Sequence, residues 1–272
     1  PQNLKRLLSM SSIFHNIFYL PVLNTLALLV YFLPGHSFGL SIILLTIIVN
    51  TILLPLTHKA KHAQRKMQEL QPKLEQIKRQ HKDNREEQAR RQMDLYKEHG
   101  INPFTSLLLP IVQIPLFLAL FSVLQLKGDI FAINLYSFLP VIESPGNMFL
   151  GLIDLSKAGL ELHLSPQFIF NIISLPNVLL AFFAAITQFT QLRMMPRPVI
   201  DEKNKESFGV LFQQNLTFTM PVIIFLIGST LPGALALYWT TMSIFGIVHE
   251  GVVRRRAQSL TQNHEQRATT TE

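Results

Sequence analysis

Three features of the sequence predict an all-α, polytopic membrane protein. Charge is segregated: residues 58–99 hold twelve basic and seven acidic side chains, a net +5, whereas between Gly100 and Leu192 only Lys127, Asp129, Glu143, Asp154, Lys157 and Glu161 are charged. Several uncharged runs approach or exceed the ~20 residues that a helix needs to cross a hydrocarbon core about 30 Å thick. Those runs also contain Pro55, Pro110, Pro115, Pro176 and Pro221. Such prolines break water-exposed helices but only kink membrane helices, where neighbours satisfy the freed carbonyls. A soluble domain of 272 residues would spread its charge over the whole surface instead.

From the N-terminus, Ile13 to Leu33 is apolar, with polar interruptions at His15, Asn16 and Asn24 and with Lys5 and Arg6 before it. Two readings stay open: a further span with its N-terminus inside, or an interfacial amphipathic helix presenting Phe14, Phe18 and Leu23 to the acyl chains. Gly39 to Leu56 is a first span, whose chief polar residues are Thr46 and Asn50. The charged segment that follows, 58–101, reads as a helical hairpin. His58 to Gln80 and Asn84 to His99 have helical spacing, with Met67, Leu70, Leu74 and Ile77 on one stripe and Met93 with Tyr96 on another. Pro72 interrupts the first arm, Lys82-Asp83-Asn84 turns the chain, and Gly100 ends the second arm.

Phe104 to Leu126 is a second span and Ile172 to Leu192 a third, separated by a loop over 127–166 without a motif of its own. Leu216 to Leu231 and Gly233 to Val252 form a last pair broken at Leu231-Pro232-Gly233. The polar tail over 257–272 is expected to be disordered. With five spans, the charged hairpin, the 193–213 linker and the tail carry 20 of the 24 basic residues on one side. By the excess of Lys and Arg on cytoplasmic loops, that side is the cytoplasm and the C-terminus lies there.

No catalytic constellation is present. The sequence has no cysteine, which excludes disulfides, thiolate metal sites and lipidated cysteines. HExxH, the P-loop and GxSxG are missing, and the histidines lie among charges rather than at ligand spacing. The net charge of +7 belongs to topology rather than to DNA binding. Mid-span acids and bases are absent, which argues against a proton relay or an ion-coupled transporter.

What the spans carry is neutral polar groups: Thr46 and Asn50 in the first, Gln113 in the second, Thr187, Gln188 and Gln191 in the third, Thr217 and Thr219 in the fourth, and Thr240, Thr241 and Ser243 in the fifth. An amide facing lipid would leave its hydrogen-bonding capacity unmet, so these groups face protein or water. Hydrogen bonds between helices and a shared hydrated groove both satisfy that demand. The number of spans so equipped favours the groove.

The blocks GLSIILLTIIVNTILLPLTHKAKHAQRKMQELQPKLEQI, MDLYKEHGINPF, SLLLPIVQIPLFLALF, ITQFTQLRMMP, TFTMPVII and LPGALALYWTTMSIFGIVHE resemble, in order and spacing, those of the YidC/Oxa1/Alb3 membrane protein insertases. The resemblance implies five spans, with residues 1–36 containing a peripheral helix on the outer face, in a bacterial plasma membrane. It implies a groove open to cytoplasm and lipid, lined by Thr46, Asn50, Gln113, Thr187, Gln188, Gln191, Tyr238, Trp239, Thr240 and Ser243, with Tyr238 and Trp239 matching the aromatic pair that contacts substrate.

A substrate's polar tail enters such a groove while its apolar segment slides into the bilayer, with no enzyme chemistry and no nucleotide or metal cofactor. The implied partners are nascent membrane proteins and lipids, with the Sec translocon and the ribosome as further candidates. Arg65, Lys66, Lys73, Arg90 and Arg91 mark the hairpin, for which two readings stay open: a receiver of substrate or targeting factors, or a solvated charged face that enforces topology. Arg254, Arg255 and Arg256 are placed for anionic lipid or ribosomal RNA. At one position the chain departs from the pattern, because Asn50 stands where bacterial members usually carry an arginine. A small-solute channel or transporter is the alternative reading.

Overall fold

The computed structural model describes residues 12, 14–124, 135–136, 147–161, 171–194 and 208–270. A π-helical turn, His15–Tyr19, leads into α1, Leu20–Phe32. Pro21 follows the π-helical turn directly and, lacking an N–H, leaves a carbonyl of that turn without its usual intrahelical donor. The helix stops at Leu33, before Gly35, whose left-handed backbone (φ 68°) suits a residue without a Cβ.

Helix α2, Phe38–Ile52, is capped by the Ser37 hydroxyl, which accepts from the Leu40 N–H at 3.4 Å. The single helix expected over 39–56 breaks at Leu53, and α3, Leu54–Glu69, leaves at an angle of 62°. The cause is Pro55, which has no N–H to donate to the carbonyl four residues earlier. Helix α4, Gln71–Gln80, follows Leu70 with Pro72 in its first turn, and α5, Arg85–Glu98, starts at Asn84, whose side-chain oxygen accepts from the Glu87 N–H at 3.1 Å. Gly100 (φ 64°) ends α5, and the Ile101 N–H closes the turn on the Tyr96 carbonyl at 2.8 Å. Leu70, Leu74, Leu95 and Ile101 form a small core here, flanked by Met67, Ile77 and Tyr96. Leu95, rather than Met93, supplies the apolar contact from the second arm.

Helix α6, Phe104–Leu124, runs unbroken through Pro110 and Pro115. Beyond it lie β1, Met148–Phe149, β2, Ile153–Asp154, β3, Leu160–Glu161, and β4, Asn171–Ile173, in two antiparallel pairs. The third apolar helix, expected from Ile172, therefore starts later, as α7, Leu175–Met194, because 171–173 are drawn into strand pairing with β3. Helix α8, Phe208–Thr230, begins before the expected Leu216 and keeps Pro221 inside it. Helix α9 follows the break at Leu231-Pro232 and extends from Gly233 to Thr270. The stretch from Ala257, expected to be disordered, continues α9 as helix to Thr270 and is free of Gly and Pro. Most of the linker, 195–207, and most of the 127–166 loop lie outside the described residues.

The protein is mostly helical and carries apolar helices of spanning length. His15–Phe32 and α7 are each long and apolar enough to cross a membrane, and the bent α2–α3 pair meets the same standard taken as one. Ile111–Val123 and Thr217–Thr230 are shorter apolar helices. Helix α9 packs on α7 and α2, α7 on α8, α1 on α2 and α6, and α3 on α6. Leu23, Leu26, Ile42, Val123 and Leu235 are fully buried at the centre.

Away from the hairpin, the bundle is closed by the 147–161 segment. The Phe149 ring occupies the space over Gly39, where a Cβ would collide with it. Leu155 and Lys157 offer their carbonyls to the N–H groups of Ala234 and Gly233 at 3.1 and 2.9 Å, satisfying the start of α9. Asn177, fully buried at the start of α7, donates to the carbonyls of Asp154 and Lys157 at 3.0 and 2.8 Å.

Candidate functional site

A crevice opens between α1, α2, α6 and α9, lined by Val22, Leu45, Thr46, Val49, Asn50, Leu116, Leu120 and Tyr238. It is a narrow, open-mouthed crevice whose cavity volume is about 10 Å³, room for about one water. Thr46 and Asn50 share one face of α2, being four residues apart. The Thr46 hydroxyl donates to the Ile42 carbonyl at 2.6 Å, and the Asn50 amide to the Thr46 carbonyl at 2.8 Å. These bonds spend a donor from each side chain on its own helix, yet they leave the Asn50 carbonyl oxygen without a partner among the described residues. Gln113, half-buried on α6, reaches across to α9, where its amide donates to the Tyr238 hydroxyl and to Met242 Sδ at 3.4 Å. One turn further along α6, Phe117 stacks on Trp239 with ring centroids 5.6 Å apart. Of the predicted groove residues, Thr46, Asn50 and Tyr238 line this crevice, while Gln113 adjoins it through Tyr238 and Trp239 packs on Phe117 of the same helix.

Of the other polar span residues, Gln188, Gln191 and Ser243 meet where α7 packs on α9. Ser243 donates to the Gln188 side-chain oxygen at 2.8 Å. Thr187 turns its hydroxyl back on the carbonyls of Phe183 and Ala184. Gln191 lies so close over Gly246 that a Cβ there would collide with its amide nitrogen. Thr240 is buried, its hydroxyl without a partner among the described residues. Interhelical packing and local hydrogen bonding account for this set, which does not line the crevice.

The hairpin residues divide as well. Arg65 is bound to Glu250, 2.6 Å away on α9. Lys73 approaches His99 at 3.2 Å, and Arg91 pairs with Glu87 at 2.8 Å on an exposed face of α5. Lys66 is half-buried and Arg90 exposed. Arg254, Arg255 and Arg256 continue α9 beyond Glu250, with side chains outside the described set.

A family model described as 60Kd inner membrane protein matches residues 29–261, most of the chain. The chain belongs to that family. Relatives of the 60Kd inner membrane protein family, each named membrane protein insertase YidC, include one from Geotalea daltonii, 30% identical over 220 residues that make up 81% of this chain and 34% of the relative. One from Clostridium tetani is 29% identical over 208 residues, 76% of this chain and 77% of the relative. Another, from Aquifex aeolicus, is 29% identical over 86% of this chain and 39% of the relative. The chain thus spans about a third of the length of several of these relatives and most of the clostridial one.

Three residues of this family member escaped the sequence reading. Glu250 carries a visible signal, since it is the sole acidic residue between Phe208 and His264. Asn177 is an amide at a span entrance, and Gly39 has no signal beyond being a glycine at a helix start.

Proposed function

We propose that this chain is a membrane protein insertase and chaperone with five spans, its hairpin and C-terminus in the cytoplasm and the 147–161 segment outside. The observation that carries the reading is the crevice. Thr46, Asn50 and Tyr238 line it and Gln113 bonds Tyr238 beside it, at the end of α2 from which the charged hairpin departs. A polar stretch of substrate desolvated there would exchange water for these groups, lowering the cost of carrying backbone amides through hydrocarbon. Burial of the substrate's own apolar helix drives the transfer overall. Leu179, Phe182, Phe183 and Ile186 leave an exposed apolar face on α7 against which lipid or a substrate helix packs.

Asn50 sets the electrostatics of this wall. It supplies a hydrogen-bonding surface without charge, so the crevice lacks the Coulomb attraction that a cation there would exert on an acidic tail. Photocrosslinkers at Thr46, Gln113 and Trp239 test the reading in proteoliposomes synthesising a single-span substrate. Capture of the nascent chain from all three positions is expected. Capture only from lipid-facing positions such as Phe182 would overturn the groove, and solute flux without any nascent chain would point to a channel. In the same assay Asn50→Arg is expected to favour substrates with acidic tails, whereas equal insertion across tail charges in both proteins would remove substrate attraction from this position.

A further inference from the structure

We propose that Glu250 is a positioning residue for insertion, holding α3 at the mouth of the crevice by clamping Arg65 and Lys61. The inference rests on the insertase reading for its role and on geometry for its parts. The Glu250 side chain is only 4% exposed, and its two oxygens are divided between two cations. Arg65 Nη2 binds Oε1 at 2.6 Å, and Lys61 Nζ binds Oε2 at 3.4 Å.

The two cations stand four residues apart on one face of α3, so the carboxylate spans a full turn and fixes the rotation of that helix as well as its distance. Lys61 also meets His249 Nδ1 at 3.4 Å, and His249 Nε2 lies 3.1 Å from His58 Nε2. Residues 58, 61 and 65 of α3 are thereby matched against residues 249 and 250 of α9 across the membrane exit. Helix α3 also packs on α6, which carries Gln113, while α9 carries Tyr238. The clamp therefore ties the hairpin to two walls of the crevice, with the carboxylate enclosed and its two cations partly open to solvent. The exposed Arg91–Glu87 pair on α5 carries no comparable constraint.

The natural chain has no cysteine, so Arg65→Cys with Glu250→Cys supplies a unique pair for a short bismaleimide. Purified wild type, Glu250→Gln and the double-cysteine protein, with and without the linker, are compared for insertion of a single-span substrate into proteoliposomes, at equal abundance and with unfolding temperature recorded. Glu250→Gln and the unlinked double variant should insert about tenfold less than wild type, and the covalent link should restore insertion to within about twofold, which a loss of general stability would not predict. Wild-type insertion by Glu250→Gln, or a linked protein no better than the unlinked one, overturns the clamp. Failure of the insertase reading is distinguishable, because wild type itself would then insert nothing.

Discussion

Asn177→Ala tests how the end of the bundle opposite the hairpin is sealed. The amide is fully buried and donates twice, to the carbonyls of Asp154 and Lys157. Each bond contributes about 0.5–1.5 kcal/mol net, and leaving a buried acceptor unpaired adds about 1–3 kcal/mol. That second cost falls mainly on Asp154, because the Lys157 carbonyl keeps the Gly233 N–H at 2.9 Å. It is partly offset, because the Asn177 side-chain oxygen, itself without a partner among the described residues, is removed too. The net loss expected is about 2–3 kcal/mol. Asn177→Asp, of the same shape, should cost more at neutral pH, since it turns an ionised oxygen toward two carbonyls, and less at pH 5, where a protonated carboxyl can donate one bond. Reversible unfolding in mixed micelles of increasing SDS content measures both variants. A change within about 0.5 kcal/mol for Asn177→Ala, or a pH-independent Asp variant, would refute the reasoning.

Three further outcomes follow from the geometry. Gly39→Ala should destabilise by about 1–2 kcal/mol, because displacing the Phe149 ring outweighs the gain in helix propensity, and pairing it with Phe149→Ala should abolish most of that loss in a double-mutant cycle. Ser243→Ala should cost about 0.6 kcal/mol through the lost bond to Gln188 and leave substrate crosslinking at Thr46 unchanged, as befits a residue where α7 packs on α9. Asp154 is held below its ordinary 3.8: burial pushes its carboxyl up, but hydrogen bonds from the Ser156 hydroxyl and N–H, with Lys157 beside it, outweigh that. Its folded-state pKa is depressed, so its contribution is complete above pH 3.8 and fades as pH falls through the lower folded value. Unfolding curves followed downward from pH 6 should show that loss setting in below pH 3.8 in wild type and not in Asp154→Asn.

The helical character, the charged segment and the family were legible because each rests on composition and local order. The apolar runs announce burial, and Asn84 and Gly100 announce helix ends through chemistry confined to one turn. The break at Leu53 was readable only as a kink at Pro55, since the angle depends on what α3 packs against. Pairing of 171–173 with β3 depends on a partner strand outside the run itself, so Ile172 looked like helix. The polar inventory named residues that need partners without naming the partners. Thr46, Gln113 and Ser243 look alike in sequence, yet Thr46 lines the crevice, Gln113 bonds Tyr238 beside it and Ser243 bonds Gln188 of α7, a division made by which helices touch. Glu250 meets Arg65 across 185 residues of chain, a separation that no local pattern reports.

The bend at Leu53 makes α3 a lever. Its 16 residues extend ~24 Å from the pivot, so a 10° change at that single joint swings the far end by ~4 Å. Lys61 and Arg65 sit part-way along the arm, where the same swing moves them by only ~2–3 Å. A small rotation of one backbone joint is thus amplified toward α4 and α5, and the point at which α9 grips the arm sets how far the hairpin's tip can travel.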